Sequence, residues 1–173
     1  MHVMIISRHC SYPSVHGPAQ HARTFANALL LNGHEVTLLT GEYNFRYEET
    51  IQDGYKIIKV PIKYISTSVE SSSELFIKNK NDDALAEKIF KKVNPDIIHI
   101  GVPKQMSSYI DKGIENGIPT VAIVHSFEWV CMLGHLLDYN DQNCSGPETE
   151  SKCIECVENN LSKKWSSFDP SHS

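Results

Sequence analysis

Three places in the chain hold residue types whose spacing could do chemistry. The most compact is a set of four cysteines, Cys131, Cys144, Cys153 and Cys156, separated by twelve, eight and two residues. A Cys-x-x-Cys pair can put two thiolates on one metal ion, and two further cysteines complete a tetrahedral shell of the kind that holds structural zinc. Residues 138–151 between them are polar and contain Gly146 and Pro147, too poor in apolar side chains to pack unaided, so a cross-link would replace a missing core. Zinc is therefore expected here, with disulfides or free thiols as the alternatives. A shell of four cysteines leaves no open position, so the ion would be structural.

The second place is the loop Arg8 to Gly17, which runs into a helix start at Pro18. Unpaired N–H groups and partial positive charge at a helix N-terminus can hold a phosphate or a sugar hydroxyl, and glycine lets a ligand approach the backbone. Arg8 and His16 can add donors, while the competing reading makes Gly17-Pro18 only a good helix start. The third place is His125, directly after the apolar run Thr120 to Val124, where an imidazole can hydrogen-bond a substrate hydroxyl or act as a base near neutral pH. His99 lies inside a strand pattern and reads as a packed core histidine with one nitrogen satisfied. His9, His21, His34 and His135 are indistinguishable from surface residues. Cys10 reads as a small buried hydrophobe rather than a nucleophile.

Elements must exist to position these groups. Val3 to Ser7, Val36 to Thr40, Tyr55 to Val60, Asp96 to Ile100 and Pro119 to Val124 are short apolar runs, and Ile62 to Ile65 is a possible continuation beyond Pro61. Between them, Ala22, Phe25, Ala26, Leu29 and Leu30 recur at helical spacing, ended by Gly33. Leu85, Ile89 and Val93 form a second helical face, with Asp82 and Asp83 near its start and Lys91 and Lys92 near its end, and Pro95 stops it. Met106, Tyr109, Ile110 and Ile114 mark a third. Apolar strands alternating with amphipathic helices predict an α/β fold: a Rossmann-like parallel sheet with helices on both faces, which binds ligands beyond the C-terminal ends of its strands. Residues 66–73 are Ser-rich and read as a surface loop. The Rossmann-like domain is expected over residues 1–160, with the cysteine-rich segment at 131–156 and a fraying tail at 161–173.

The 173 residues are 40% hydrophobic and 21% charged, the profile of one ordinary globular domain. Sixteen basic against twenty-one acidic residues give a formal charge of −5 and a pI near 6.0, without the basic excess of a nucleic-acid binder. Nine histidines, if all protonated, would add nine charges to −5 and give +4, so the surface is sensitive to mild acid. No run reaches the ~18 apolar residues of a membrane span, and the first residues lack the basic and cleavage regions of a secretory signal. A cytoplasmic location with reduced thiols is therefore expected. The loop lacks G-x-G-x-x-G, and Glu42 is the only acid near the end of the second strand, which argues against a nicotinamide dinucleotide.

The order of Tyr12, Pro13 and Gly17, then Asn32-Gly33-His34-Glu35-Val36, Pro95-Asp96-Ile97-Ile98-His99 and Gly117-Ile118-Pro119-Thr120-Val121 into His125, resembles the N-terminal domain of family 4 (group 1) glycosyltransferases. Trp129, Cys131, Cys144-Ser145-Gly146-Pro147 and Cys153-Ile154-Glu155-Cys156 resemble its cysteine-bearing branch, so the likeness covers about residues 1–157. It implies the GT-B architecture, in which an N-terminal domain mainly binds the acceptor and a C-terminal domain holds a nucleotide-sugar. It further implies sugar transfer from a nucleotide diphosphate donor with retention at the anomeric carbon and no catalytic metal. By the same likeness Gly17 matches a glycine loop near the donor phosphates and acceptor, and His125 matches a histidine that contacts the donor sugar. Gly17-Pro18 stands where paired glycines are usual, and Ser126 where Asp is frequent.

The expected function is thus the acceptor-side half of a retaining glycosyltransferase. Its catalytic residue is His125, and Arg8, His16, Gly17 and Pro18 lie on the substrate side. Its partners are a nucleotide-sugar donor held by a second domain or partner chain, and a sugar, lipid or small-molecule acceptor. Without the donor half the chain is expected to be inactive. The alternatives are a non-catalytic module that binds a glycan or a protein, and a small nucleotide-binding Rossmann protein.

Overall fold

The structure, a computed structural model, describes residues 1–10, 14–43, 46–62, 80–131 and 133–166. Tyr12 and Pro13 of the loop, the Ser-rich stretch 66–73 and the proposed continuation at 63–65 lie outside them. The described residues divide into two compact units, one up to His125 and one from Ser126 onward.

The first unit is built on strands β1 (His2–Ile6), β2 (Glu35–Tyr43), β3 (Glu48–Gln52), β4 (Tyr55–Ile62), β5 (Ile97–Ile100) and β6 (Thr120–Ala122), in the order β3-β4-β2-β1-β5-β6. All neighbours are parallel except β3 and β4, which pair antiparallel. The expectation of an all-parallel sheet is corrected at this edge. Asp53 and Gly54 both have positive φ, 51° and 88°, the backbone of a tight two-residue hairpin turn, and they fold Glu48–Gln52 back onto β4. Pro61 sits inside β4 opposite Glu42, past the last β3 pair at Glu48 and Lys59, where its missing N–H leaves no partner unpaired on that side.

Helices α1 (Gly17–Leu31), α2 (Lys80–Val93) and α3 (Ser107–Glu115) cover the sheet. Side chains alternate along β1, so Val3 and Ile5 face Ala19, Ala22 and Ala26 of α1, while Met4 and Ile6 face Ala86, Ile89 and Phe90 of α2 and Tyr109 and Ile110 of α3. The alanines of α1 are small enough to bring its backbone close to the sheet. With helices on both faces, this is the expected Rossmann-like α/β sheet. Asp82 and Asp83 open α2 and Lys91 and Lys92 close it, each sign matched to the nearer end of the helix dipole.

Chain order reverses between β1 and β5: β1, β2 and β4 step one way, β5 and β6 the other. Loops leaving the C-terminal ends of β1 and β5 therefore diverge and open a crevice there. In the second unit a single 3-10 turn at Phe127–Trp129 precedes an irregular segment and then α4 (Glu150–Ser166). Helix thus covers residues 161–166 of the stretch expected to fray, and 167–173 lie outside the described residues. Among the described residues, no helix is long and apolar enough to cross a membrane.

Gly113 of α3 faces the buried Ile98 and Phe90, and a Cβ there would overlap Ile98 Cδ1 and lie 3.2 Å from Phe90 Cζ. Gly113→Ala is expected to destabilise the chain by about 1 to 3 kcal/mol in urea unfolding, with part of the loss recovered on adding Ile98→Val. A neutral Gly113→Ala would show that α3 does not pack this closely.

Candidate functional site

The loop after β1 is laid along the C-terminal end of β2 before it reaches α1. Ser7 N–H donates to Leu39 O at 3.0 Å, His9 N–H to Gly41 O at 3.0 Å, and Cys10 N–H to the Thr40 hydroxyl at 2.9 Å. Arg23, buried on α1, donates to the carbonyls of Cys10 at 2.9 Å and Ser14 at 2.5 Å, pinning the loop to the helix that follows it. Sequence reasoning missed this role; an arginine on the otherwise apolar inner face of a helix was its signal. Cys10 is fully buried and its thiol is pushed up to about 11, chiefly by desolvation, which suits an inert packing residue.

His16 precedes α1 with extended backbone, makes no side-chain cap, and accepts Gln20 N–H on its carbonyl at 2.9 Å. Pro18 stands at the helix start. Gly17 is exposed, its φ needs no glycine, and nothing lies within 4 Å of where a Cβ would be. Among the described residues, neither packing nor backbone strain explains this glycine. Arg8 is turned elsewhere: its guanidinium donates to Gln105 Oε1 at 3.2 Å, which also accepts from the Tyr43 hydroxyl at 3.3 Å. Glu42, at the end of β2, accepts from Thr40 at 3.1 Å and lies 3.2 Å from His9 Nδ1.

His125 follows β6 at the same sheet edge, because β1, β5 and β6 run parallel. There it meets α1: the His125 and His21 rings are 4.9 Å apart, edge to face. His21 stacks on His99 at 5.8 Å, and Phe25, one turn along α1, lies 4.6 Å from His99. Gly17, Pro18 and His125 are thus brought to one rim, while His16 caps the same helix and Arg8 is tied to the loop after β5. His21 and His99 join them, which the sequence reading did not anticipate. The usable signal was the i, i+4 spacing of His21 and Phe25, together with the position of His99 on the strand face opposite Ile98 and Ile100. His99 packs against His21 and Phe25, and its Nδ1, like that of His21, is buried without a hydrogen-bond partner.

Burial first, then the neighbouring His21 and His125, push His99 below the ordinary imidazole value of 6.5. Burial and then His21 lower His125 in the same direction. Both rings are therefore neutral at pH 7, each with one N–H to give and one lone pair to receive. The His99 and His125 imidazoles, near the start of α1, suit a ligand that carries both hydroxyls and negative charge.

The four cysteines lie in the second unit. Cys131 starts a tight turn in which Gly134 N–H returns to Cys131 O at 2.9 Å. Its thiol is raised by burial, but the N–H groups of Leu136, Gly134, His135 and Leu133 outweigh that and hold it below its ordinary value. Leu137 bridges Asn143, and Cys144 N–H donates to Leu136 O at 2.8 Å, so a small hairpin carries Cys144 back beside the Cys131 turn. Gly146 N–H points at Cys144 Sγ at 3.4 Å. Cys153 and Cys156 are one turn apart on α4, and Cys156 Sγ lies 4.0 Å from Leu137 O. All four cysteines are unbridged and line one cavity of about 190 Å3.

The lowered His99 fixes a pH dependence. The folded chain keeps this ring neutral, whereas the unfolded chain takes up a proton near 6.5, so the unfolded state binds more protons in mild acid. Its contribution is intact above that value and is lost as the pH falls below it. Urea midpoints are expected to fall between about pH 7.5 and about pH 5.5, and His99→Gln should flatten that slope. An unchanged slope in the variant would remove His99 as its source.

Comparison with known proteins bears on the first unit above all. Among solved structures, the C-terminal domain (residues 78–226) of a hydrogenase from Pyrococcus furiosus aligns at 14% identity, over 71% of this chain and 90% of that one, with a TM-score of 0.46. A universal stress protein family member from Burkholderia pseudomallei aligns at 10% identity over 70% and 94%, with a TM-score of 0.31. Neither likeness is close enough to bear on fold or function. No curated protein matches the chain. The family described as Glycosyltransferase Family 4 matches residues 15–142, a span that takes in α1, the whole sheet beyond β1, His125, and Cys131. The chain belongs to Glycosyltransferase Family 4.

Proposed function

We propose that this domain is the acceptor side of a retaining glycosyltransferase that moves a sugar from a nucleotide diphosphate to an acceptor hydroxyl. A second Rossmann-like domain, on the same polypeptide or a partner chain, supplies the nucleotide-sugar, and the acceptor is a sugar, a lipid or another small hydroxyl compound. Alone, the acceptor side does not catalyse. The observation that carries the reading is the meeting of the α1 N-terminus at Gly17 with His125 and His21 at the switch point of the sheet.

In this reading the bond from the anomeric carbon to the phosphate oxygen breaks and one to the acceptor oxygen forms on the same face. The leaving phosphate takes the bonding electrons and then the proton of the acceptor hydroxyl, and the N–H groups at the start of α1 stabilise the charge that grows on it. His125, neutral at working pH, holds a sugar hydroxyl so that the anomeric carbon faces the acceptor. His21 backs His125 at 4.9 Å between ring centroids, and the two rings together line the sugar's path in this reading. A second reading, a non-catalytic module that binds a glycan or protein, is favoured by Val121 and Val124, exposed by 54% and 65% beside the open edge of β6.

The test is sugar transfer by the domain combined with its donor-binding half, read as nucleotide diphosphate release and as product anomer by NMR. Retention is expected, and His125→Ala should lower kcat by about 10²- to 10³-fold, as for loss of one group aimed at developing charge. Gly17→Val should raise the donor KM by filling the space before the helix. Unaltered transfer by His125→Ala, or an inverted product, would sink this reading in favour of the binding module.

A further inference from the structure

The second unit poses a stability problem that its apolar residues do not solve. Among the described residues, both hydrophobic clusters lie in the first unit, and in the second only Val157 is a buried apolar side chain. Ile154 is 54% exposed, and Phe127, Trp129 and Val130 are exposed as well. A segment with so little apolar burial cannot offset the ordering of its own backbone. Yet it holds a defined turn, a hairpin and a helix, and what these three share is that each carries a cysteine to the same cavity.

We infer that Cys131, Cys144, Cys153 and Cys156 are the four ligands of one structural zinc ion that stands in for the core this unit lacks. The inference does not depend on the glycosyltransferase reading. Three features favour it over four independent thiols. First, backbone N–H groups already face sulfur at two of the positions, from Leu133, Gly134, His135 and Leu136 onto Cys131 and from Gly146 onto Cys144. Such donors are the outer contacts that orient metal-bound sulfurs.

Second, the three cysteine-bearing elements are tied to one another by bonds that do not involve sulfur. Leu136 gives its N–H to Cys131 and its carbonyl to Cys144, so one residue fixes the first two ligands side by side. Lys152, next to Cys153, donates to Ser145 Oγ at 2.7 Å and Gly146 O at 3.1 Å and pairs with Glu148 at 3.2 Å, clasping the Cys144 turn to the start of α4. Third, Cys153 and Cys156 are three residues apart on α4, so one face of the helix brings both to the cavity.

Among the described residues, no three His, Cys, Asp or Glu side chains stand at coordinating spacing. Coordination therefore requires the thiols to rotate inward and lose their protons, and the cavity leaves room for that. Four thiolates brought together repel. A dication removes that repulsion, and each bound thiol releases its proton to solvent.

The test uses the full chain, purified under reducing conditions after growth with zinc and washed with a weak chelator. Metal analysis should give about one zinc per chain, and replacement by cobalt(II) should give the intense visible bands of tetrahedral thiolate ligation. The four thiols should resist alkylation in the native protein until a mercurial displaces the metal. Cys156→Ser should lose at least about nine-tenths of the zinc, whereas Cys10→Ser, in the first unit, should keep it. Should Cys156→Ser not fold, stripping wild type with a strong chelator serves instead: it should open residues 126–166 to trypsin while the first unit stays intact. Metal-free folded protein with freely reactive thiols would overturn the inference, as would disulfides among the four cysteines, or iron with sulfide in place of zinc.

Discussion

Parallel pairing of β1 with β5, from Val3 opposite Ile97 to Ile6 opposite Ile100, is the constraint from which the site follows. Both strands are buried on both faces, so a shift of register by one residue would carry Met4, Ile6, Ile98 and Ile100 from the α2 and α3 side to the α1 side. With the register fixed, the loops after β1 and β5 leave from one edge. Pairing of β5 with β6, Ile98 opposite Thr120 and Ile100 opposite Ala122, then delivers His125 to that edge too. Every contact between the imidazoles depends on these few backbone ladders.

The strands and helices of the first unit are legible in the sequence because their signals are local: apolar runs of four to six residues, Gly33 and Pro95 as stops, and charges matched to the α2 dipole. What escaped is of two kinds. β3 reads Glu-Glu-Thr-Ile-Gln, with Ile51 79% exposed, and an edge strand that buries little leaves no alternation to detect. Its only local mark was Asp53-Gly54, a hairpin turn whose meaning depends on what flanks it. The imidazole cluster escaped for a different reason. Which face of α1 meets the sheet, and which residue of β5 lies beneath it, are tertiary facts, so the i, i+4 spacing of His21 and Phe25 and the strand face of His99 become readable only once the fold is packed. Gly17 and His125 were legible as positions at strand and helix ends, and their joint location followed from the predicted fold.

The two units also answer the same entropic cost by different means. In the first, interleaved aliphatic side chains on both faces of the sheet exclude water, and the polar loop over its edge is held by one buried guanidinium, that of Arg23. Arg23 suits this task because its planar fork can satisfy two carbonyls, Cys10 O and Ser14 O, at once. Lysine at that position would leave one of them unpaired. In the second unit, hydrogen bonds dominate: Asp138 Oδ1 alone accepts the N–H groups of Asn140 and Gln142, at 2.8 and 2.9 Å. Such bonds exchange for water at little net gain, so they give the turn its shape without giving the unit its stability.

Unmade hydrogen bonds point to the same edge as the topology does. Ser14 Oγ, His21 Nδ1 and His99 Nδ1 are buried and unpartnered, and a group left in that state costs about 1 to 3 kcal/mol. A fold that satisfies Ser7 through Val102 N–H and Thr40 through Glu42 has the means to pair such groups at strand ends. The loop, α1 and β5 each keep one such atom, and the Tyr109 hydroxyl, on the other face of the sheet, is another. Ligand hydroxyls and phosphate oxygens fit both needs, donors and acceptors for the imidazoles and negative charge for the helix N-terminus. A ligand that paired these groups would offset part of that cost, which ties the local instability of this rim to its proposed use.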